Sequence, residues 1–254
     1  MTLVSDTSHL FVRSLKKLLR NPILLFFSLF QPIIFLVLFT QLFSKFPLVG
    51  TGAGTYLAFA APGIVLQNGF SSAFQSGTAV VDDLRSGFLG KMLATPVSRS
   101  AILLGRILTD VFRVVVQSSI ILILAVALGA SAATGIPGYL LMLVTIAFFA
   151  LAWSGIALSL GLKTRNAETV FGIAAFLTFP LLFMSTALVP AKAMPDWMNN
   201  VSTYNPISIT VNALRPLMIS GYDWGAVASA FGVIGLLGLL TMGATLYLFR
   251  KVVS

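Results

Sequence analysis

Residues 23–43 contain no charged side chain, and neither do 56–81, 139–161, 169–189 or 225–249. About 20 consecutive apolar residues are enough for a helix to cross the hydrocarbon core of a bilayer. Inside lipid every backbone N–H and C=O must be paired within the structure, so a chain with such runs folds as membrane-spanning helices unless it closes into a barrel. A sixth run, 107–129, carries only Asp110 and Arg113. Charged residues make up 9% of the chain, against about 25% in soluble domains, and the mean hydropathy is +0.98. The fold class expected is an all-α integral membrane protein, one transmembrane domain over 1–254, with six transmembrane helices.

The connections between the runs are as informative as the runs. Residues 9–20 read as an amphipathic helix, with Phe11, Leu15, Leu18 and Leu19 on one face and Arg13, Lys16, Lys17 and Arg20 on the other. Such a helix lies in the interface, apolar side to lipid and basic side to headgroups. Asn21-Pro22 ends it or bends it into the membrane. The basic region and the run after it outlast a signal peptide, whose apolar part spans about 7–15 residues, so 23–43 is expected to be a retained span. Residues 44–55 and 130–138 read as turns. Residues 190–224 hold prolines, tryptophans and tyrosines, too polar for a plain span and too apolar for a free loop. Short external re-entrant or interfacial helices are expected there, broken at Pro195, Pro206 and Pro216. In the last run, Gly232, Gly235 and Gly238 would permit close helix approach.

Charge sets the orientation. With six spans, Arg13, Lys16, Lys17, Arg20, Arg85, Lys91, Arg99, Arg106, Arg113, Lys163, Arg165, Arg250 and Lys251 fall on or near the side of the termini. Lys45, Lys192 and Arg215 fall opposite. The positive-inside rule then places both termini, and the loop 82–106, in the cytoplasm.

Several function classes drop out. There is no cysteine, and His9 is the single histidine, so no thiolate chemistry and no zinc cluster is built here. The net charge of +9 sits in loops beside spans rather than on a water-exposed stripe, which excludes nucleic-acid binding. Gly90-Lys91 has Arg85 where a P-loop needs its first glycine, so no nucleotide site is carried on the chain. No nucleophile–base set or carboxylate pair supports intramembrane catalysis. Ionisable groups near the midplane, which ion-coupled carriers need, are missing, so power for transport would have to come from another subunit. An ATP-independent channel or scaffold is the competing class.

Polar residues inside the runs are the candidate functional side chains. Gln31, Gln67, Asn68 and Gln75 suit either helix packing or a cargo path. Arg106, Asp110 and Arg113 are spaced to pair along one helix face, as a structural ion-pair set or as a proton or ion relay.

The loop is the most distinctive stretch. Asp83-Leu84-Arg85-Ser86-Gly87, Leu93-Ala94-Thr95-Pro96-Val97-Ser98-Arg99, Leu104-Gly105-Arg106 and the later Tyr204-Asn205-Pro206 resemble the ABC transporter type 2 permeases, in particular the daunorubicin-exporter-like branch. Asp82-Asp83 stands where many members carry glutamate. The resemblance implies an exporter subunit in the cell inner (plasma) membrane, paired with a second copy or a paralogue. It also implies two ATP-binding subunits on separate chains that hold ATP and magnesium, with no cofactor on this chain. The segment after the second span would be a coupling helix seated in the ATPase. Its expected residues are Asp82, Asp83, Arg85, Gly87, Phe88, Met92, Leu93, Pro96 and Arg99. Asp82 and Asp83 would sit at the helix N-terminus, Phe88, Met92 and Leu93 would form its apolar face, and Thr95 and Pro96 would cap and start the next helix.

Overall fold

The structure is a computed structural model that describes residues 3–43, 45, 53, 55–95, 97–130 and 133–253. All regular elements among them are helical: α1 (Leu3–Leu19), α2 (Pro22–Leu42), α3 (Tyr56–Arg85), α4 (Phe88–Leu93), α5 (Arg99–Ala127), α6 (Gly135–Thr164), α7 (Ala167–Phe183), α8 (Asp196–Tyr204), α9 (Pro206–Ile219) and α10 (Trp224–Val253), with a 3₁₀ turn at Ala191–Ala193. Among the described residues, four stretches are long and apolar enough to cross a membrane: Leu25–Leu42, Ser100–Ala127, Gly135–Thr164 and Trp224–Lys251.

The remaining two expected spans correspond to α3 and α7. At about 1.5 Å per residue α3 is ~45 Å long, but it carries Gln67, Asn68, Ser71, Ser72, Gln75 and Ser76. Its position explains this composition. α3 packs against α2, α5, α6, α7 and α9, and most of its residues are buried. The solvent of this helix is other helices, so polar side chains can be satisfied internally. α7, at 17 residues, is shorter than the others.

α3 and α6 approach most closely. A Cβ placed on Gly161 would lie 2.5 Å from the Gly77 carbonyl oxygen. The main hydrophobic core surrounds this crossing and includes Phe70, Phe149 and Trp153. A second cluster lies at one end of the bundle, where Val80, Leu89, Ile102, Leu103, Ile107, Leu158, Leu162 and Phe249 meet, with Leu10 packed on it. It joins α1, α3, α4, α5, α6 and α10, so the first helix and the end of the last share one end of the bundle.

Four expectations need correction here. α1 begins at Leu3 and packs on α5, with Phe11 edge-on to Phe112 at a ring separation of 5.8 Å, so its apolar side is not given over to lipid. Leu19, expected on that apolar side, is exposed and so stays open to lipid. Gly105 makes the packing possible, since a Cβ there would lie 2.8 Å from the Leu10 Cβ. Pro216 does not break α9; the helix runs through it to Ile219. A Cβ on Gly232 or Gly235 would meet nothing within 4 Å among the described residues, while one on Gly238 would touch Ala152 of α6 at 3.6 Å; the tighter approaches fall at Gly63, Gly77, Gly155 and Gly161.

Candidate functional site

α3 ends at Arg85, with Ser86 as its C-cap and Gly87 in the left-handed region at φ 67°. That glycine turns the chain sharply into α4. A Cβ is unfavourable there by about 1–2 kcal/mol, which gives Gly87 of the loop motif a geometric reason. Asp82 and Asp83 therefore lie in the last turn of α3 and not at the N-terminus of α4, contrary to the expectation from charge and helix dipole. What holds them is side-chain pairing. Asp83 accepts from Arg106 Nη1 at 2.5 Å and from Lys17 Nζ at 3.3 Å, which ties the end of α3 to α5 and α1. Arg106 thus pairs with Asp83 rather than with Asp110, one turn along its own helix. α5 starts at Arg99, with the Ser98 hydroxyl accepting from the Ala101 N–H at 3.2 Å. Thr95 is not the cap; its hydroxyl donates to the Met92 carbonyl at 2.5 Å.

α4 is held from two sides. Leu89 is buried in the second cluster. Arg13 of α1 sits over the Phe88 ring, 3.8 Å from its centroid, and its Nη1 is 3.7 Å from Met92 Sδ. Phe88 and Met92 are therefore occupied by α1 rather than standing free. Arg85, Gly87, Gly90, Lys91, Ala94 and Thr95 are exposed. Leu93 and Arg99 fall within helices whose side chains at those positions are not described, and Pro96 lies outside the described residues.

Further into the bundle, α3 and α5 share a buried polar seam. Arg113 Nη2 donates to Asp110 Oδ1 at 3.2 Å and to the Ser72 carbonyl at 2.7 Å, while Nη1 donates to Gln75 Oε1 at 3.0 Å. Asp110 also accepts from the Ser76 hydroxyl. Both charged residues are 8% exposed. One and two turns on, Gln117 accepts from Ser72 at 2.9 Å and from Asn68 at 3.4 Å, and donates to Ser28 of α2 at 2.7 Å. Gln117 was not singled out from sequence, although it continues the 110–113 face at i+7 and i+4.

The four amides expected on a cargo path come together. Gln31, Gln67, Asn68 and Gln75 all line a cleft between α2 and α3. Its volume is about 30 Å³, far below the ~300–1,000 Å³ of small-molecule sites, so α2 and α3 are closed here on a drug-sized cargo.

Arg215 of α9 is another residue that sequence reasoning passed over. Its guanidinium lies 3.8 Å from the Phe59 ring centroid, and it donates to the carbonyls of Phe59 at 3.1 Å and Thr186 at 2.5 Å. It locks α9 and the segment after α7 onto the start of α3. A lone cation within the apolar run Ala213-Leu214-Arg215-Pro216-Leu217 was the available signal. Asn205 complements it, capping α9 through the Ile207 N–H at 2.9 Å and donating to the Leu181 carbonyl at 2.7 Å. Arg215→Ala should destabilise the protein by about 2–3 kcal/mol, since it strands buried carbonyls and removes a cation–π contact. Arg215→Lys should recover little, because one ammonium cannot replace a planar fork. Thermal melting of the purified variants, with limited proteolysis across 184–190, reads both effects.

Known proteins resemble this chain over most of its length. Residues 6–219 match the family described as ABC-2 type transporter. The daunorubicin resistance ABC transporter permease protein DrrB1 of Streptomyces coeruleorubidus is 33% identical over 248 residues, 95% of this chain and 86% of the relative. A protein named as a doxorubicin resistance ABC transporter permease, DrrC, of Mycobacterium tuberculosis is 26% identical over 82% of this chain and 75% of its own length. Nodulation protein J of Bradyrhizobium diazoefficiens is 29% identical over 80% of this chain and 78% of its own length.

Proposed function

The chain belongs to the ABC-2 type transporter family, a membrane permease family, and from that premise we propose that it is the permease subunit of an ATP-driven exporter. It crosses the membrane six times, through α2, α3, α5, α6, α7 and α10, with both termini and α4 in the cytoplasm and the 190–224 helices at the outer face, as external re-entrant or interfacial pieces. Two copies, or one copy and a paralogue, pair in the cell inner (plasma) membrane. Each binds an ATP-binding subunit on a separate chain, and those subunits supply ATP and magnesium. The cargo is a drug-like, lipid or other amphipathic molecule leaving the cytoplasm or the inner leaflet.

The observation that carries this reading is the way α4 is mounted. A short helix with Leu89 in a core shared by five other helices, clamped by Arg13 and preceded by the Asp83 triad, moves only with the bundle. A push at Arg85, Gly87 or Lys91 from a partner therefore reaches α3 and α5 without being absorbed by a slack loop. Two of its cytoplasmic-end ties, Lys17 and Arg106 on Asp83, are the joints through which α1 and α5 follow α3. The cargo route assigned to Gln31, Gln67, Asn68 and Gln75 requires α2 to part from α3.

The test is reconstitution of the chain with its ATP-binding partner. Combined replacement of Asp83 by Asn and Gly87 by Val should leave membrane insertion and ATP hydrolysis in place and lower ATP-dependent transport at least about tenfold. The valine is strained at positive φ and redirects α4, and Arg106 loses its carboxylate. Normal transport by that variant would falsify the coupling role. Transport that persists without ATP or without any ATPase partner would return the protein to the channel or scaffold class.

A further inference from the structure

α1, α3 and α5 enclose a second cavity, of about 400 Å³, beside the Asp83 triad. That volume lies within the ~300–1,000 Å³ of small-molecule sites, and it is an order larger than the cleft between α2 and α3. Its charged lining is unbalanced in a specific way. Lys17 and Arg106 both pair with the one carboxylate of Asp83, which leaves a surplus positive charge. Asp82, one residue away and exposed, makes no ion pair among the described residues, which leaves a surplus negative charge. Arg106 and Arg113 line the same cavity, and the Nε–H of each is buried with no acceptor among the described residues.

These features select among ligands. A purely anionic ligand would satisfy the triad and face Asp82. A purely cationic one would satisfy Asp82 and face Lys17, Arg106 and Arg113. An apolar one would strip water from every charge without replacing it. A zwitterion with an anionic oxygen group and an N–H-bearing cation a few bonds apart meets both surpluses. The wall formed by α1 brings Arg13 as well as Lys17 to the cavity, which adds attraction for a phosphate.

We propose that this cavity binds the headgroup of an aminophospholipid, with the phosphate drawn to Lys17, Arg106 and Arg113 and the ammonium to Asp82, an assignment that rests on the placement of this end of the bundle at the inner membrane surface. Gln75 lines this cavity as well as the cleft between α2 and α3, and its amide oxygen holds Arg113 Nη1 at 3.0 Å. A headgroup seated here is thus one side chain from the seam that must open for cargo.

The experiment uses the full chain, purified and delipidated, then offered phosphatidylethanolamine, phosphatidylcholine and phosphatidylglycerol in equal amounts, with retained lipid counted by native mass spectrometry. Phosphatidylethanolamine should be retained about fivefold over the other two, since only it brings both a phosphate and donating N–H groups to a free carboxylate. Asp82→Asn should abolish its preference over phosphatidylglycerol. Lys17→Gln should lower retention of both lipids about threefold or more. Asp82 and Lys17 are exposed, so both variants keep the fold, and an unchanged elution profile verifies it. Equal retention of the three lipids, or no effect of Asp82→Asn, overturns the site. Displacement of the lipid by soluble phosphoethanolamine at matched concentration, with inorganic phosphate as the control, overturns the lipid source in favour of a soluble phosphate ester. ATP-dependent transport by the unaltered chain is a separate readout, so equal retention of the three lipids with transport intact counts against this site alone.

Discussion

Gly161→Leu is expected to lower the melting temperature of the purified protein by about 10 °C, corresponding to about 3 kcal/mol or more at the few degrees per kcal/mol usual for a chain of this size. Gly161 stands where α6 touches α3 backbone to backbone. A Cβ there would lie 2.5 Å from the Gly77 carbonyl oxygen and 2.6 Å from Val80 Cγ1. Ordinary non-bonded contact needs roughly another ångström, and neither atom can yield it. The carbonyl is fixed in the α3 ladder, and Val80 is packed in the second cluster. Reciprocally, a Cβ on Gly77 would overlap the Ala157 carbonyl and lie 3.0 Å from Val170 Cγ1. The helices must separate, and α3 carries both hydrophobic clusters with it. Gly235→Ala is the contrast. Nothing lies within 4 Å of that position, and alanine favours the helix by up to about 1 kcal/mol, so its melting temperature should hold or rise. Equal behaviour of the two variants would remove the close crossing from the account of this fold.

The second large effect is at Asp110. Asp110→Ala should cost about 3–5 kcal/mol, the usual range for a buried ion pair that loses one partner. Arg113 would keep its charge at 8% exposure, with only Gln75 and the Ser72 carbonyl as acceptors. Monodisperse yield from detergent-solubilised membranes should fall steeply. Replacing both residues, Asp110→Leu with Arg113→Met, should restore much of the yield, because two well-packed apolar side chains replace two desolvated charges. The double variant also separates the two roles open to this pair. Retained transport assigns it to structure, linking α3 to α5. A folded double variant that retains the lipid preference but no longer transports assigns it to a proton or ion relay.

Much of the helical layout was legible in the sequence because the bilayer leaves few alternatives. α2 follows from a run without charge, and it begins at Pro22, beside the expected end of the first helix at Asn21-Pro22. Asn205-Pro206 marks the start of α9 through an N-cap and a proline at the first turn, both local devices. Pro216 misled, since a proline tolerated inside a packed helix reads in one dimension like a stop signal. The candidate site was legible in its parts and not in its pairings. Asp83, Arg106, Asp110 and Arg113 stood out as charges, but spacing favoured Arg106 with Asp110, and the structure pairs Arg106 with a residue 23 positions earlier. The glycines show the same limit. Gly232, Gly235 and Gly238 formed a visible stripe, whereas Gly77 and Gly161 come from different helices and carry no joint signal.

By itself, the sequence determined that this chain is a helical membrane protein and roughly where its long helices begin and end. Those properties depend on the composition of contiguous stretches, and burial in lipid acts on each stretch separately. Only the tertiary structure decided which helix is central, that Asp82 and Asp83 end α3 rather than begin α4, that Arg13 packs on the Phe88 and Met92 expected to form the apolar face of α4, and that Gln117 and Arg215 join elements far apart in the chain. These depend on which faces meet, and that is settled by close packing among helices whose apolar surfaces are chemically alike, so shape and a few buried polar pairs choose the partners.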